Sequence, residues 1–401
     1  MALKTTLQAR FLRPLHPRDP HEHHRVSTPL ELLFDLVTVI AIASAAAGLH
    51  HAVAAGHAAG GIITFLMAFF AIWWAWMNFT WFASAYDNDD PAYRLLIMLL
   101  MAGALVIAAG IPNVIGDFPN FTLVIFGYSI MRVGMITLWL RAAAHDIARR
   151  RTALAYAAGI FLTQIYWITL LAIQPIGENL GYGLFLVGVV LELLVPAVAE
   201  PLSSNTPWHR HHIVERYGLL NLIVLGETLL SGSTALRDIA TGFNATLALT
   251  ALFSLVIVFS LWWSYFGDER HLNRPGLRHT LLWGYGHFLI FASGAATGAG
   301  FGVVVDVTTK ASHLPQFLAE ASVAIPVALY LAALWFVRDR VAAHGPGRFA
   351  LPASSLLTVS ITAIGMDLCP ALGCIAASTA LGVILRNVLI STPDSGSATI
   401  H

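Results

Sequence analysis

Twelve apolar stretches, each near the length needed to cross a bilayer, follow one another along this chain with only short polar breaks. They lie at 29–49, 60–85, 94–111, 120–140, 152–173, 181–199, 212–232, 244–266, 279–302, 316–337, 350–367 and 370–391. A membrane helix needs roughly 20 mostly apolar residues at about 1.5 Å of rise each. With no water in hydrocarbon to satisfy backbone groups, stretches of this kind fold as helices. Composition agrees: 57% of the residues are hydrophobic and 11% charged, with a mean hydropathy of +0.72, where a soluble domain carries about 25% charged residues. The expected fold class is an all-α polytopic membrane protein with about 12 transmembrane helices and the lipid bilayer as its main partner.

The basic residues predict an orientation. With the N-terminus in the cytoplasm, the opposite side receives only Arg237 and Lys310, Arg132 falls inside a span, and Arg386 near the cytoplasmic end of the last. The other Lys and Arg all fall on the cytoplasmic side, as the positive-inside rule requires. Both termini are therefore expected inside, with residues 1–28 and 393–401 as tails. Residues 1–28 show no short apolar core with a cleavage site, so the first span is expected to serve as the insertion signal. Formal charge balances at zero, which gives no global field favouring nucleic acid. Cys369 and Cys374 form neither a disulfide framework nor a metal pattern, and no cofactor or metal is expected. His21-Glu22-His23-His24 and His209-Arg210-His211-His212 read as solvated faces, with metal binding as the other reading.

The ionisable residues inside the spans carry the functional argument. Glu31 and Asp35 sit one turn apart in the first span, and an intramembrane carboxylate is costly unless paired, neutralised or facing water. Counting helical rise from the cytoplasmic ends places Asp35 about 10 Å deep, Glu192 about 12 Å, and Arg132 and His287 about 14 Å. These four are expected in one layer, with Arg132 paired to Asp35 or Glu192. Glu227 lies about 18 Å further along its helix than Glu215. Glu31, Glu215 and Arg216 fall near the interface, where a helix N-terminus favours Glu and long side chains snorkel. The carboxylate and histidine set suits proton relay or cation binding, and fixing helix register is the structural alternative.

Trp73, Trp74, Trp76, Trp81 and Tyr86 read as lipid-facing packing, or as the lining of a site for a cationic solute. Gly294, Gly298 and Gly302 recur every four residues and predict close helix–helix packing, or else a substrate path.

The second half echoes the first. Pro91-Ala92-Tyr93-Arg94 and Pro275-Gly276-Leu277-Arg278 open spans at a shift of 184 residues, and the same shift places Glu31 on Glu215. Trp73-Trp74 before Tyr86-Asp87 is matched by Trp262-Trp263 before Tyr265 and Asp268. The expectation is two parallel six-helix halves, 29–200 and 201–392, an arrangement used by secondary transporters.

Four motifs occur in the order of a known family. Glu31-Leu32-Leu33-Phe34-Asp35-Leu36-Val37 preceded by Arg25, and His212-Ile213-Val214-Glu215-Arg216-Tyr217-Gly218 followed by Leu225-Gly226-Glu227, are two of them. Trp262-Trp263-Ser264-Tyr265-Phe266 and Tyr285-Gly286-His287 are the others. From Arg25 to Arg386 the chain resembles the bacterial low temperature requirement protein A family. The family usually carries a Gln-type residue shortly after the Phe-Asp pair, where this chain has Ala43-Ser44-Ala45-Ala46-Ala47; any role of that side chain has no counterpart here. The resemblance implies a polytopic bacterial inner-membrane protein, and its name records growth in the cold rather than a chemical activity.

The leading expectation is a proton- or cation-coupled secondary transporter of an unknown small solute or ion. Glu31, Asp35, Arg132, Glu192, Glu215, Glu227 and His287 are its coupling or ligand candidates, and Trp74, Trp263 and Tyr285 its substrate-path candidates. The alternatives are a membrane-embedded enzyme acting on lipid or an isoprenoid carrier, and a non-catalytic scaffold or sensor. No metal-ligand or nucleophile motif such as H-E-x-x-H favours the enzyme.

Overall fold

The computed structural model describes residues 11–23, 25–115, 120–241, 244–268, 272 and 276–390, with the backbone alone for 230–241. Lys4, Arg10, Arg270 and Arg274 of the basic set, His24 of the first His-rich run and the 393–401 tail lie outside the described residues, as does the side chain of Arg237.

Among the described residues, twelve helices coincide with the twelve apolar stretches. They are α1 (Pro29–Ala54), α2 (Ala58–Ala85), α3 (Pro91–Val114), α4 (Thr122–His145), α5 (Arg150–Ala172) and α6 (Glu178–Ala199). The others are α7 (Arg210–Thr241), α8 (Ala245–Phe266), α9 (Leu277–Thr308), α10 (Gln316–Leu334), α11 (Ala350–Ile361) and α12 (Leu368–Leu389). Ten are long and apolar enough to cross a membrane. The two that fall short do so for different reasons. Helix α7 is long, but Arg210, Glu215, Arg216, Asn221 and Glu227 make it polar. Helix α11 has 12 residues, about 18 Å of rise, and stops at Ile361 rather than at the expected 367. Gly365 follows in a turn at φ +73°, a conformation that suits glycine and ends the helix.

Local chemistry explains where α1 begins. Thr28 precedes Pro29, and Glu31 stands at the third helical position. The Glu31 amide donates to Thr28 Oγ1 at 3.3 Å, while the Thr28 amide and hydroxyl donate to Glu31 Oε2 at 2.8 and 2.9 Å. This is a reciprocal capping box with proline at the first position. Beyond it α1 is two-faced: Leu32, Leu36 and Ile40 are exposed, while Glu31, Phe34, Asp35, Thr38, Ala41 and Ala45 are buried.

The chain divides into two compact units. The first is Met1–Ala45 with Thr64–Arg216, where α3 packs on α4, α4 on α5 and α5 on α6. Gly103 and Gly127 let α3 and α4 touch, since a Cβ on either would stand 2.6 Å from the other's carbonyl oxygen. The second is Ala46–Ile63 with Tyr217–His401, where α9 packs on α10, α10 on α11, α11 on α12 and α8 on α12. Here the glycine stripe does what close packing predicts. A Cβ on Gly298 would stand 3.0 Å from Thr228 Cα of α7, and one on Gly302 would stand 2.9 Å from the His50 ring. Helix α10 continues through a π-helical turn, Trp335–Asp339, into Arg340–Ala342.

The N-terminal segment is docked on the first unit. The Arg18 amide donates to Ala85 O at 2.9 Å, the Arg13 amide donates to Asp90 Oδ2 at 2.8 Å, and Leu15 is fully buried. The first His-rich run keeps His21 and His23 exposed, but the second is no solvated face: His209 and His212 are buried and His211 is exposed, the alternation of a helix start.

Candidate functional site

Two helices of the first unit present charged residues at i, i+4 spacing. On α1 these are Glu31 and Asp35, and on α7 His212 and Arg216. Such pairs share one helix face about 6 Å apart. The faces meet as two rungs. Arg216 NH2 donates to Asp35 Oδ1 at 2.7 Å, and His212 Nε2 stands 3.1 Å from Glu31 Oε1. All four residues are at most 1% exposed. Helix α2 closes the Asp35 rung: the Trp76 indole donates to the same Oδ1 at 2.7 Å, Thr80 Oγ1 lies 3.4 Å from Arg216 NH2, and the Phe79 ring faces the guanidinium at 5.9 Å.

What the ladder leaves open is its most informative property. Asp35 Oδ2, Glu31 Oε1, both His212 nitrogens, and Arg216 Nε and NH1 are buried with no protein hydrogen-bond partner. Buried polar atoms are nearly always satisfied, and each exception requires a cause. Donors and acceptors alternate in this set, which suits water, a proton or a small polar ligand.

Beyond the start of α1 the ladder continues into the loop after α2. Asp87 is buried; burial raises its carboxyl above the ordinary range and the nearby Glu31 charge adds to the rise, against a downward pull from Arg25 and Arg18. Arg25 sits on it loosely, with NH1 at 3.4 Å from Asp87 Oδ2 and NH2 donating to Ala83 O at 3.1 Å. His209 is held neutral. Its Nε2 is 2.9 Å from Glu22 O, an obligate acceptor, and its Nδ1 accepts from the His212 amide at 3.2 Å. Burial accordingly lowers its pKa below the ordinary 6.5.

Arg132 takes Glu192 as its partner, one of the two expected, at 2.8 Å. Glu192 also accepts from the indoles of Trp74 at 2.8 Å and Trp167 at 3.0 Å, and from the Tyr128 hydroxyl at 3.2 Å. It is a saturated carboxylate, and Arg132 also contacts the Tyr128 hydroxyl. The tryptophans of α2 thus depart from the lipid-facing expectation: Trp73, Trp74 and Trp76 are fully buried. An indole N–H inside a bundle finds an acceptor, and for Trp74 and Trp76 that acceptor is a carboxylate.

The remaining candidates fall elsewhere. Glu215 is half-buried and accepts from the Ser27 amide at 3.2 Å. In the second unit His287 is fully buried beside Tyr217, Tyr265, Trp283 and Phe291, with Nδ1 2.7 Å from Trp283 O and Nε2 3.1 Å from the Tyr265 hydroxyl. Both its nitrogens are engaged, as in a satisfied core histidine. Glu227 and Tyr285 are half-buried, and Trp263 is 46% exposed, so Trp263 does not share the buried setting of Trp74. Within the first unit Asp35 pairs with Arg216 and Glu192 with Arg132, so of the two partners expected for Arg132 it takes Glu192 and leaves Asp35 to Arg216. Among the described residues no three His, Cys, Asp or Glu side chains converge as a metal site would require.

Sequence reasoning missed Thr80, met His212 and Trp76 only as members of a motif and an aromatic cluster, and undervalued Arg216. A signal was present: a basic pair at i, i+4 spacing in His212 and Arg216 mirrors the acidic pair at Glu31 and Asp35.

A chain whose described elements are helical, with ten bilayer-length apolar helices among them and charged pairs buried between these, is a multi-pass membrane protein. The family model of the Bacterial low temperature requirement A protein (LtrA) matches residues 26–389, and the chain belongs to that family. It is also similar to an uncharacterized protein of Rhizobium meliloti (strain 1021), 26% identical over 381 residues that cover 90% of this chain and 87% of the relative. No solved structure matches the chain.

Proposed function

We propose that this protein is an ion-coupled secondary transporter of the bacterial inner membrane, with both termini cytoplasmic and the Glu31–His212 and Asp35–Arg216 ladder as its ion-responsive element. One observation carries the reading: two acid–base rungs, fully buried, with six polar atoms that the protein itself does not satisfy. Inside a membrane such groups mark ion pathways and proton relays. A carrier also needs two bodies that can rock against each other, commonly related by a repeat. The recurring order of packing, α3–α4–α5–α6 in one unit and α9–α10–α11–α12 in the other, supports a repeat of that kind.

Purified protein in liposomes, loaded with a pH-sensitive dye and offered a panel of small solutes, tests the reading. A solute should move protons or be moved by a pH gradient, and Asp35→Asn should reduce that flux at least tenfold while the protein remains folded. A folded wild-type protein that gives no gradient-dependent flux with any solute overturns it.

A further inference from the structure

We infer that the coupling ion is a single proton, and that it is held between Glu31 and His212 while the Asp35–Arg216 rung stays fixed. The inference rests on the carrier reading and adds the identity, number and place of the ion.

Charge counting leads to it. The charged groups around the ladder are Glu31 and Asp35 on α1, Arg216 on α7, and Arg25 with Asp87 beyond the start of α1. Arg18 lies 3.8 Å from Asp87 but is balanced by its two-pronged partner Glu22, and Glu215 is half-buried on the Ser27 amide. The Tyr93 hydroxyl of α3 faces the same groups and is neutral, and His209 is held neutral by its two hydrogen bonds. Arg25 balances Asp87 and Arg216 balances Asp35. One carboxylate, Glu31, is left over against a histidine that carries charge only when protonated. The buried set therefore carries one uncompensated negative charge, and a net charge in a low-dielectric interior is costly. One added cation closes the balance.

Geometry then selects the proton. Arg216 already lies on Asp35 at 2.7 Å, and a metal cation at that carboxylate would meet a guanidinium. At the other rung Thr28 occupies Glu31 Oε2 twice, which leaves Oε1 as the free oxygen, 3.1 Å from His212 Nε2. That separation is an ion-pair distance for a carboxylate and an imidazolium, so a proton on the ring meets the leftover carboxylate without any further ligand. The uptake step is simple. A proton from water bonds to the Nε2 lone pair, the imidazole becomes imidazolium, and the Glu31 carboxylate neutralises it.

Nitrogen-15 NMR of histidine-labelled protein in lipid vesicles tests this without transport. The His212 ring signal, identified by its loss in His212→Gln, should pass from neutral to protonated as the pH is lowered from about 8 to about 5. Glu31→Gln retains the capping box and should weaken proton binding at His212 at least tenfold. Exchanging sodium for a large organic cation at fixed pH should leave the signal unchanged. A ring that keeps one state across this range, a Glu31→Gln protein that titrates like wild type, or displacement of the proton by sodium overturns the inference. Gradient-driven flux with a non-titrating His212 would sink the inference and spare the carrier; a titrating His212 without flux would do the reverse.

Discussion

The first unit's ladder and a second charged network, in the other unit, are both centred on fully buried charges, Arg338, Asp339 and Arg386 in the second, and differ in completeness. At the π turn ending α10, Asp339 accepts from Arg338 Nε at 2.7 Å and from Arg386 through both Nε and NH2 at 2.7 Å. Arg386 NH2 also reaches Asp268 at 2.7 Å, and Arg338 NH1 donates to the carbonyls of Ser264 and Tyr265 at 2.8 and 3.1 Å. Two arginines meet two aspartates, with one fork-to-fork pair of the strongest protein geometry. Arg338 NH2 is the one side-chain polar atom of these four residues left buried without a partner. The ladder has two carboxylates against one permanent cation and six open atoms. Burial alone therefore does not mark function in this protein. A charge-balanced, hydrogen-bonded set fastens helices, and an unbalanced, open one is able to exchange something.

The largest expected effect tests the fastening role directly. Asp339→Asn leaves Arg338 and Arg386 buried with reduced compensation. Breaking a buried pair of this kind costs about 3–5 kcal/mol, enough to lower the thermal midpoint in detergent steeply and to reduce membrane yield. The same change at Glu31, to Gln, retains the bonds to Thr28 and should cost about 1 kcal/mol or less, the scale of one ordinary hydrogen bond. Equal losses at the two sites would erase the distinction.

A middle-sized effect is expected at Glu192, the saturated carboxylate of the first unit. Trp74→Phe removes one of its four donor residues and preserves most of the ring's packing. A hydrogen bond to a charged group contributes about 1.5–3 kcal/mol, and the loss should fall at the upper end because Trp74 alone donates to Oε2, while Arg132, Trp167 and Tyr128 all bond Oε1. Trp76→Phe removes a donor of the same type from Asp35. If both substitutions only destabilise, and neither alters pH-driven flux, Asp35 belongs with the fasteners.

The comparison also shows what the sequence could and could not reveal. Helix positions were legible because each apolar run had to reach bilayer length, and the start of α1 because Thr28, Pro29 and Glu31 form a local capping pattern. The end of α11 was harder, since its turn at Gly365 interrupts a run that remains apolar on both sides. Arg132 had few carboxylates within its depth, and Glu192 was among them. The choice of Arg216 over Arg132 for Asp35 was hidden, because it depends on which face of α7 meets α1. Interfacial position suggested that Arg216 snorkels, yet its side chain is turned inward and fully buried. Indole N–H direction was hidden for the same reason: Trp74 and Trp263 occupy matched motifs, and only the first is inside.

The smallest effect concerns the join between the N-terminal segment and α7. His209 must be neutral to accept from the His212 amide while donating to Glu22 O, and burial holds its pKa below the ordinary 6.5. A group whose folded pKa is depressed contributes stability that is complete above its unfolded value and lost as pH falls through the folded value. The thermal midpoint should therefore decline slightly as pH is lowered below about 6.5, and His209→Gln should remove that part of the decline. Arg25, His211 and His212 lie close enough to oppose a charge on the ring, so all three act in the same direction as burial. A His209→Gln protein with the wild-type pH profile would remove this histidine from the pH response, and any remaining decline below pH 6.5 would fall to other groups, Glu31 and His212 among them.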